Sequence, residues 1–236
     1  MKRTKTYLAV SIAALLMATA FAAGTTAAQT DSNTSIEIQI DENGDATWTV
    51  TSESQLESED EVDGFERIVE DRTRRSEIGE DVTSRFDAFA DRAEEEVDRE
   101  MQVGETEVGA ELEDDVGVVT VEFDWTAFAS TEDGSVVAGD VFAGGLSLDE
   151  DTSLSLVAPE NYVVDDSDAE GADVSDTSVT WNGPTEFEDD VVVRFVASED
   201  TDGDGAGSEG LPGFTTLAAL TALSGFSLLV RRRRSD

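Results

Sequence analysis

Residues 36–50 read Ile36-Glu37-Ile38-Gln39-Ile40-Asp41-Glu42-Asn43-Gly44-Asp45-Ala46-Thr47-Trp48-Thr49-Val50, and this stretch decides the fold class. Apolar side chains fall at 36, 38 and 40 and again at 46, 48 and 50, with Asn43-Gly44 between the two runs. A period of two turns one face of each strand inward, and Asn-Gly between two such runs is a hairpin signal. The stretch predicts an antiparallel hairpin with one buried face.

From Glu61 to Met101 the period changes. Phe65, Ile68 and Val69, then Val82, Phe86, Phe89, Ala93, Val97 and Met101, recur mainly at spacings of three and four. That is the apolar stripe of helices facing a core, and it predicts a helix pair broken near Gly79. All but one of the arginines between residues 29 and 210 lie here, from Arg67 to Arg99, among carboxylates. Pairs four apart, such as Glu95 with Arg99, are expected to be solvated helical contacts worth about 0.3 kcal/mol each. Strand patterns then return at Val119, Val121, Phe123 and Trp125, at Leu146, Leu148, Leu154 and Leu156, at Val179 and Trp181, and at Val191, Val193 and Phe195. Strands on either side of a helical insert predict an α+β domain over residues 29–197. Its mainly antiparallel sheet carries on one face the helix pair inserted after the first hairpin.

Composition narrows the chemistry. Among the 236 residues there is no Cys and no His, so imidazole and thiol chemistry, disulfides and thiolate metal sites are excluded. Residues 29–210 hold 54 Asp and Glu against 8 Arg, a net −46, and the two lysines, Lys2 and Lys5, sit at the N-terminus. Self-repulsion on that scale disfavours a compact state in ordinary buffer, where the Debye length is about 8 Å, and is screened in molar salt, where it is about 3 Å. A lysine-free acidic surface with regular apolar periodicity fits folding in concentrated brine better than intrinsic disorder does. Nucleic acid is a poor partner for such a surface.

The two ends carry an address. Met1-Lys2-Arg3-Thr4-Lys5, an apolar run from Tyr7 to Ala23 and small residues to Ala28 predict a secretory signal peptide over residues 1–28, with an uncleaved anchor as the alternative. Residues 198–210, rich in Asp, Glu, Gly and Ser, predict a flexible linker. Leu211 to Val230 is apolar, long enough as a helix to cross a bilayer, and followed at once by Arg231, Arg232, Arg233 and Arg234. Basic clusters stay cytoplasmic, so the acidic body is expected outside the cell.

Two resemblances add to this. Pro212-Gly213-Phe214, the apolar span and the terminal arginines resemble the Pro-Gly-Phe (PGF-CTERM type) sorting signal of haloarchaeal surface proteins. That resemblance implies a signal peptidase and an archaeosortase as processing partners, and replacement of residues 211–236 by a membrane lipid. A simple one-helix anchor is the alternative. The body, through Gly117-Val118-Val119-Thr120, Phe123, Trp125, Phe128, Pro159-Glu160-Asn161-Tyr162 and Trp181-Asn182-Gly183-Pro184-Thr185 with Phe187, resembles an uncharacterised haloarchaeal extracytoplasmic domain. That domain also occurs ahead of membrane-bound winged-helix modules, and the resemblance implies no catalytic residues.

Individual motifs point mostly to structure. Asp200-Thr201-Asp202-Gly203-Asp204-Gly205 starts like a calcium loop, but its twelfth position is Leu211 instead of a bidentate Glu, so it reads as spacer. Val141-Phe142-Ala143-Gly144-Gly145 lacks a phosphate-loop Lys and reads as a turn. Trp48, Trp125 and Trp181 fall in alternating strands and are expected in the core rather than in a cleft. Asn33-Thr34-Ser35 is an N-glycosylation sequon.

No cofactor or metal is expected. The sequence points to a non-enzymatic, membrane-anchored envelope or sensory module at the cell surface, with an unknown extracellular or membrane protein partner. A carboxylate-based glycoside hydrolase, marked by two carboxyls about 5–10 Å apart in a cleft, and an accessory subunit of a membrane complex, marked by an exposed apolar patch, are the alternatives. If brine holds the body together, its near-ultraviolet circular dichroism is present in multimolar salt and lost on dialysis to low salt. A spectrum unchanged by dialysis would count against it.

Overall fold

The Asn43-Gly44 turn closes the expected hairpin. Asp41 Oδ1 accepts from the backbone N–H of Asn43 (3.0 Å) and of Asp45 (3.1 Å), and Gly44 takes φ +90°. A Cβ on Gly44 would sit 2.4 Å from the Ala129 carbonyl oxygen, so the turn is also pressed against a later corner of the chain. The computed structural model describes residues 10–11, 32–97, 99–144, 146–187 and 191–198. The expected signal peptide apart from Val10–Ser11, the linker beyond Ser198, the sorting signal and the terminal arginines lie outside those residues.

In chain order the elements begin with strands β1 (Val10–Ser11), β2 (Ser32–Ile40) and β3 (Ala46–Gln55) and helices α1 (Glu59–Glu70) and α2 (Arg72–Glu96). Strands β4 (Gln102–Val103), β5 (Glu107–Glu113), β6 (Val116–Thr126), β7 (Ser130–Glu132) and β8 (Ser135–Ala138) follow, then a 3-10 turn, Asp140–Gly144. The last are β9 (Leu146–Leu148), β10 (Thr152–Val157), β11 (Tyr162–Asp168), β12 (Asp173–Val174), β13 (Ser178–Asn182), β14 (Thr185–Glu186) and β15 (Val192–Ala197). Among the described residues this is an α+β architecture with mostly antiparallel sheets and two helices, as the periodicity predicts.

The large sheet has the order β12-β13-β10-β2-β3-β6, with both β4 and β5 pairing the far side of β6. Its β2–β10 pair is parallel and the other pairs are antiparallel. A second, antiparallel sheet runs β11-β15-β8-β7, and a small one runs β1-β9-β14. In the large sheet Ile36, Ile38, Ile40, Trp48, Val50, Val121, Phe123, Trp125, Leu154, Leu156, Val179 and Trp181 are all buried on one face. Between them, Glu37, Glu122 and Asp124 are exposed, and Thr47, Thr49, Thr120, Ser155 and Thr180 are partly buried. Period-two burial of this kind fixes the strand register, because a slip of one residue would send every indole and isoleucine to water.

Helix α1 opens with a reciprocal cap: Ser58 Oγ accepts from Glu61 N–H, and Glu61 Oε2 accepts from Ser58 N–H at 3.0 Å. The break expected near Gly79 falls instead at Asp71. Asp71 Oδ1 accepts from the N–H groups of Thr73 (2.9 Å) and Arg74 (3.2 Å) and so starts α2. The Arg75 guanidinium reaches back to the carbonyls of Ile68 and Val69 at the end of α1. Gly79 lies inside α2, where a Cβ would come within 3.1 Å of the Thr106 carbonyl oxygen, so glycine there serves close packing. The stripe of α2 is Ile78, Val82, Phe86, Phe89, Ala90 and Ala93. Val97 and Met101, expected on the same helix, lie beyond its end.

The expected Glu95–Arg99 helical pair is also corrected. Arg99 follows the helix and donates to Asp140 through two nitrogens, at 2.6 and 2.8 Å, to the Ala127 carbonyl at 2.7 Å and to the Phe128 carbonyl. A fork held by carboxylate and carbonyls has more to gain than a solvated pair across one helical turn.

Two glycines of the body motifs are placed by packing. A Cβ on Gly117 would meet the Phe65 ring at 2.6 Å, and one on Gly183 would meet the Asp149 carbonyl oxygen at 1.7 Å. At Gly64, in α1, a Cβ would have nothing within 4 Å of it. Gly183→Ala is therefore expected to destabilise the fold by about 1–3 kcal/mol through overpacking, and Gly64→Ala to stabilise it by about 0.4–1 kcal/mol. Denaturation midpoints of both variants in multimolar salt should move in opposite directions.

Candidate functional site

A broad recess opens where β6 changes partners. β5 pairs β6 as far as Glu122 and β4 pairs it from Trp125, so at Phe123 and Asp124 the neighbouring chain swings outward as the Gly104–Thr106 loop. Gly104 N–H still donates to the Asp124 carbonyl at 2.8 Å and pins the loop to the sheet. The first half of α2 forms the other wall. Thr83 Oγ1 lies 3.0 Å from the Gly79 carbonyl, to which it donates, and 2.6 Å from Thr106 Oγ1. The result is an open cleft of about 950 Å³.

Five carboxylates line it: Glu80 from α2, Glu105 and Glu107 from the loop and the start of β5, and Glu122 and Asp124 from β6. Glu107 and Glu122 are directly opposite each other in the ladder. Side chains so placed have Cβ atoms about 4.5–5.5 Å apart, and like charges there repel. Asp124 Oδ1 accepts from Thr47 Oγ1 at 2.8 Å. All five acids are exposed. A carboxyl that serves as a general acid is tuned by an apolar, enclosed setting, which this cleft lacks. Among the described residues no group of three or more His, Cys, Asp or Glu side chains is arranged to hold a metal ion. The cleft can attract cations and solvate itself with water and salt.

Asn33 is exposed on β2, two residues from exposed Ser35, with Thr34 buried between them. Trp48, Trp125 and Trp181 are at most 1% exposed, so they belong to the core. Val141 to Gly144 form the 3-10 turn with Phe142 fully buried. The Pro159–Tyr162 turn is closed by Tyr162 N–H to the Pro159 carbonyl at 3.0 Å. Pro212, Gly213, Phe214, Arg231, Arg232, Arg233, Arg234 and the 200–205 tract lie outside the described residues. Among the described residues no helix is long and apolar enough to cross a membrane.

Sequence reasoning missed the cleft, because its acids come from three separate segments and look like any others among 54. It also missed the Arg99–Asp140 clamp, whose partners are 41 residues apart. The outward loop is what assembles the cleft, and only the short spacing between the β4 and β5 pairings reveals it.

The profile of a domain of unknown function (DUF7345) matches residues 37–162, more than half of the chain. The chain belongs to the DUF7345 family. The DUF7345 match begins in β2, includes both helices and the whole cleft, and ends at the first residue of β11. Its description carries no activity, in keeping with the reading of the body as an uncharacterised domain. A search of curated proteins finds no match to the chain.

The opposed Glu107 and Glu122 generate a prediction with a sign. Glu122→Gln removes a like-charge pair and should raise the melting temperature, by the equivalent of about 0.2–1 kcal/mol. The gain should shrink as salt is raised from about 1 to about 4 M, because screening already weakens the repulsion.

Proposed function

We propose that this protein is an exported haloarchaeal surface component, anchored to the membrane at its C-terminal end, whose DUF7345 domain serves outside the cell as a non-enzymatic binding or sensory module. The observation that carries the reading is the distribution of charge. Lys2, Arg3 and Lys5 precede one apolar run, Arg231 to Arg234 follow another, and between them lies a body of net −46. Basic flanks stay on the cytoplasmic side, so both ends specify the same side for the body. Pro212-Gly213-Phe214 ahead of the second run supports processing by an archaeosortase-like enzyme and attachment of a lipid.

A role in binding rather than catalysis is supported by how the motif residues are spent. Gly117 receives Phe65, Gly183 receives the Asp149 carbonyl, and Phe123, Trp125, Phe128, Trp181 and Phe187 are buried in one core cluster. The residues that distinguish the body hold its shape, and the open cleft offers solvated carboxylates.

The test is external proteolysis of intact cells in multimolar salt, followed by intact-mass measurement of the membrane-bound chain. The body should be cut from outside while cytoplasmic markers survive, and the mature mass should lack residues 1–28 and 211–236 and carry a lipid. A body protected until lysis would refute export, and retention of residues 211–236 would refute sorting in favour of a simple anchor.

A further inference from the structure

We propose that Asn33 is N-glycosylated, and that the sugar is added before β2 enters the sheet. The proposal rests on the reading of the body as exported. Asn33-Thr34-Ser35 is the one sequon in the chain: Asn43 precedes Gly-Asp, Asn161 precedes Tyr-Val and Asn182 precedes Gly-Pro. The strand period puts Asn33 and the Ser35 hydroxyl on one solvent face, and both are exposed. Asn33 borders an open groove of about 540 Å³ with Ser32, Glu53, Gln55, Val116 and Asp151. A sugar on Nδ2 projects into water there without disturbing the core.

The same geometry sets the timing. A transferase has to hold the Asn amide and the hydroxyl two residues on together, on a length of backbone freed from other partners. In the folded domain that backbone is committed. β2 lies between β3 and β10, Asn33 is opposite Glu53, and Thr34 N–H donates to the Asp151 carbonyl at 2.8 Å. Thr34 itself is 1% exposed, with its hydroxyl 3.4 Å from Ser52 Oγ. Peeling out the sequon would open two ladders of the central sheet, so the acceptor is the extended chain emerging from translocation.

In the transfer, Asn33 Nδ2 forms a bond to the anomeric carbon of an oligosaccharide carried on a lipid phosphate. The bond from that carbon to the phosphate oxygen breaks, the phosphate leaves with its electron pair, and one amide proton passes to a base of the transferase. No oxidant or reductant is needed.

The experiment takes the full chain from native membranes, after external proteolysis has established its sidedness, and digests it with a glutamyl endoprotease. The peptide ending at Glu37 should carry the mass of one or more sugars. The increment should vanish in Asn33→Gln and Ser35→Ala and persist in Ser35→Thr. In a second arm, membranes loaded with the lipid-linked donor receive either a synthetic peptide of residues 29–40 or the folded, sugar-free chain, both in multimolar salt. Modification of the peptide and not of the folded chain is expected. A bare Asn33 peptide from a chain that is outside the cell overturns the site and leaves export standing. Equal modification of both acceptors overturns the timing, and a body sealed inside the cell overturns the export reading and this site with it.

Discussion

The Trp48 indole lies against Phe123 at 5.7 Å and Trp125 at 5.6 Å between ring centroids, both near-parallel, and meets Phe86 of α2 and Phe128 of the β6–β7 corner edge-on. Each such pair adds about 0.5–1.5 kcal/mol beyond the burial of its area. The contacts continue from Trp125 to Phe89, and from Phe128 through Phe142 to Trp181 and Phe187. One aromatic chain thus joins the first hairpin, helix α2, the 3-10 turn and the late strands. Its bulk carries a cost: among the described residues, the Nε1 groups of Trp48 and Trp125 are buried without a hydrogen-bond partner. Leaving a buried donor unmet costs about 1–3 kcal/mol, which the packing around the rings offsets.

Around that core the chain has to dispose of far more carboxylate than it can bury. Some acids take structural work. Asp41 shapes the hairpin turn, Asp45 accepts from the Ala127 N–H at the corner, Glu61 and Asp71 cap helices, Glu94 receives the Met101 N–H, and Asp140 holds Arg99. Others, such as Glu37, Glu80, Glu107 and Glu122, are exposed on the sheet and helix surfaces, where water and salt screen them. The cleft between α2 and β6 belongs to this second group: its five acids converge because the β4–β5 loop leaves the sheet, and each remains solvated. Its chemistry is that of an open surface of solvated carboxylates.

Much of the fold was legible because it depends on short-range periodicity. Ile36, Ile38, Ile40, Trp48 and Val50 alternate as a half-buried hairpin must, and Phe65, Ile68, Val82, Phe86, Phe89 and Ala93 recur as core-facing helices must. Boundaries were less legible. Glycine is usually a helix stop and its place in the pattern predicts a break at Gly79, yet a backbone carbonyl from the β4–β5 loop crowds the space a side chain would need there. Asp71 was the true start signal and was hidden among other acids. The cleft was illegible for a related reason, since nothing in Glu80, Glu107 or Glu122 individually marks convergence.

By itself the sequence determined the element types, the inward face of each strand, the placement of the three tryptophans in the core and the exclusion of thiol and imidazole chemistry. These follow from local spacing and composition, which do not depend on what lies across the fold. Only the tertiary structure decided that β2 pairs in parallel with β10, that Arg99 leaves the helix for Asp140, that Gly79 and Gly117 are places of close approach, and that Asn33 faces water on a strand locked from both sides. Each of these depends on residues far apart in the chain meeting at a given distance, and distance across a fold is not written in the spacing along it.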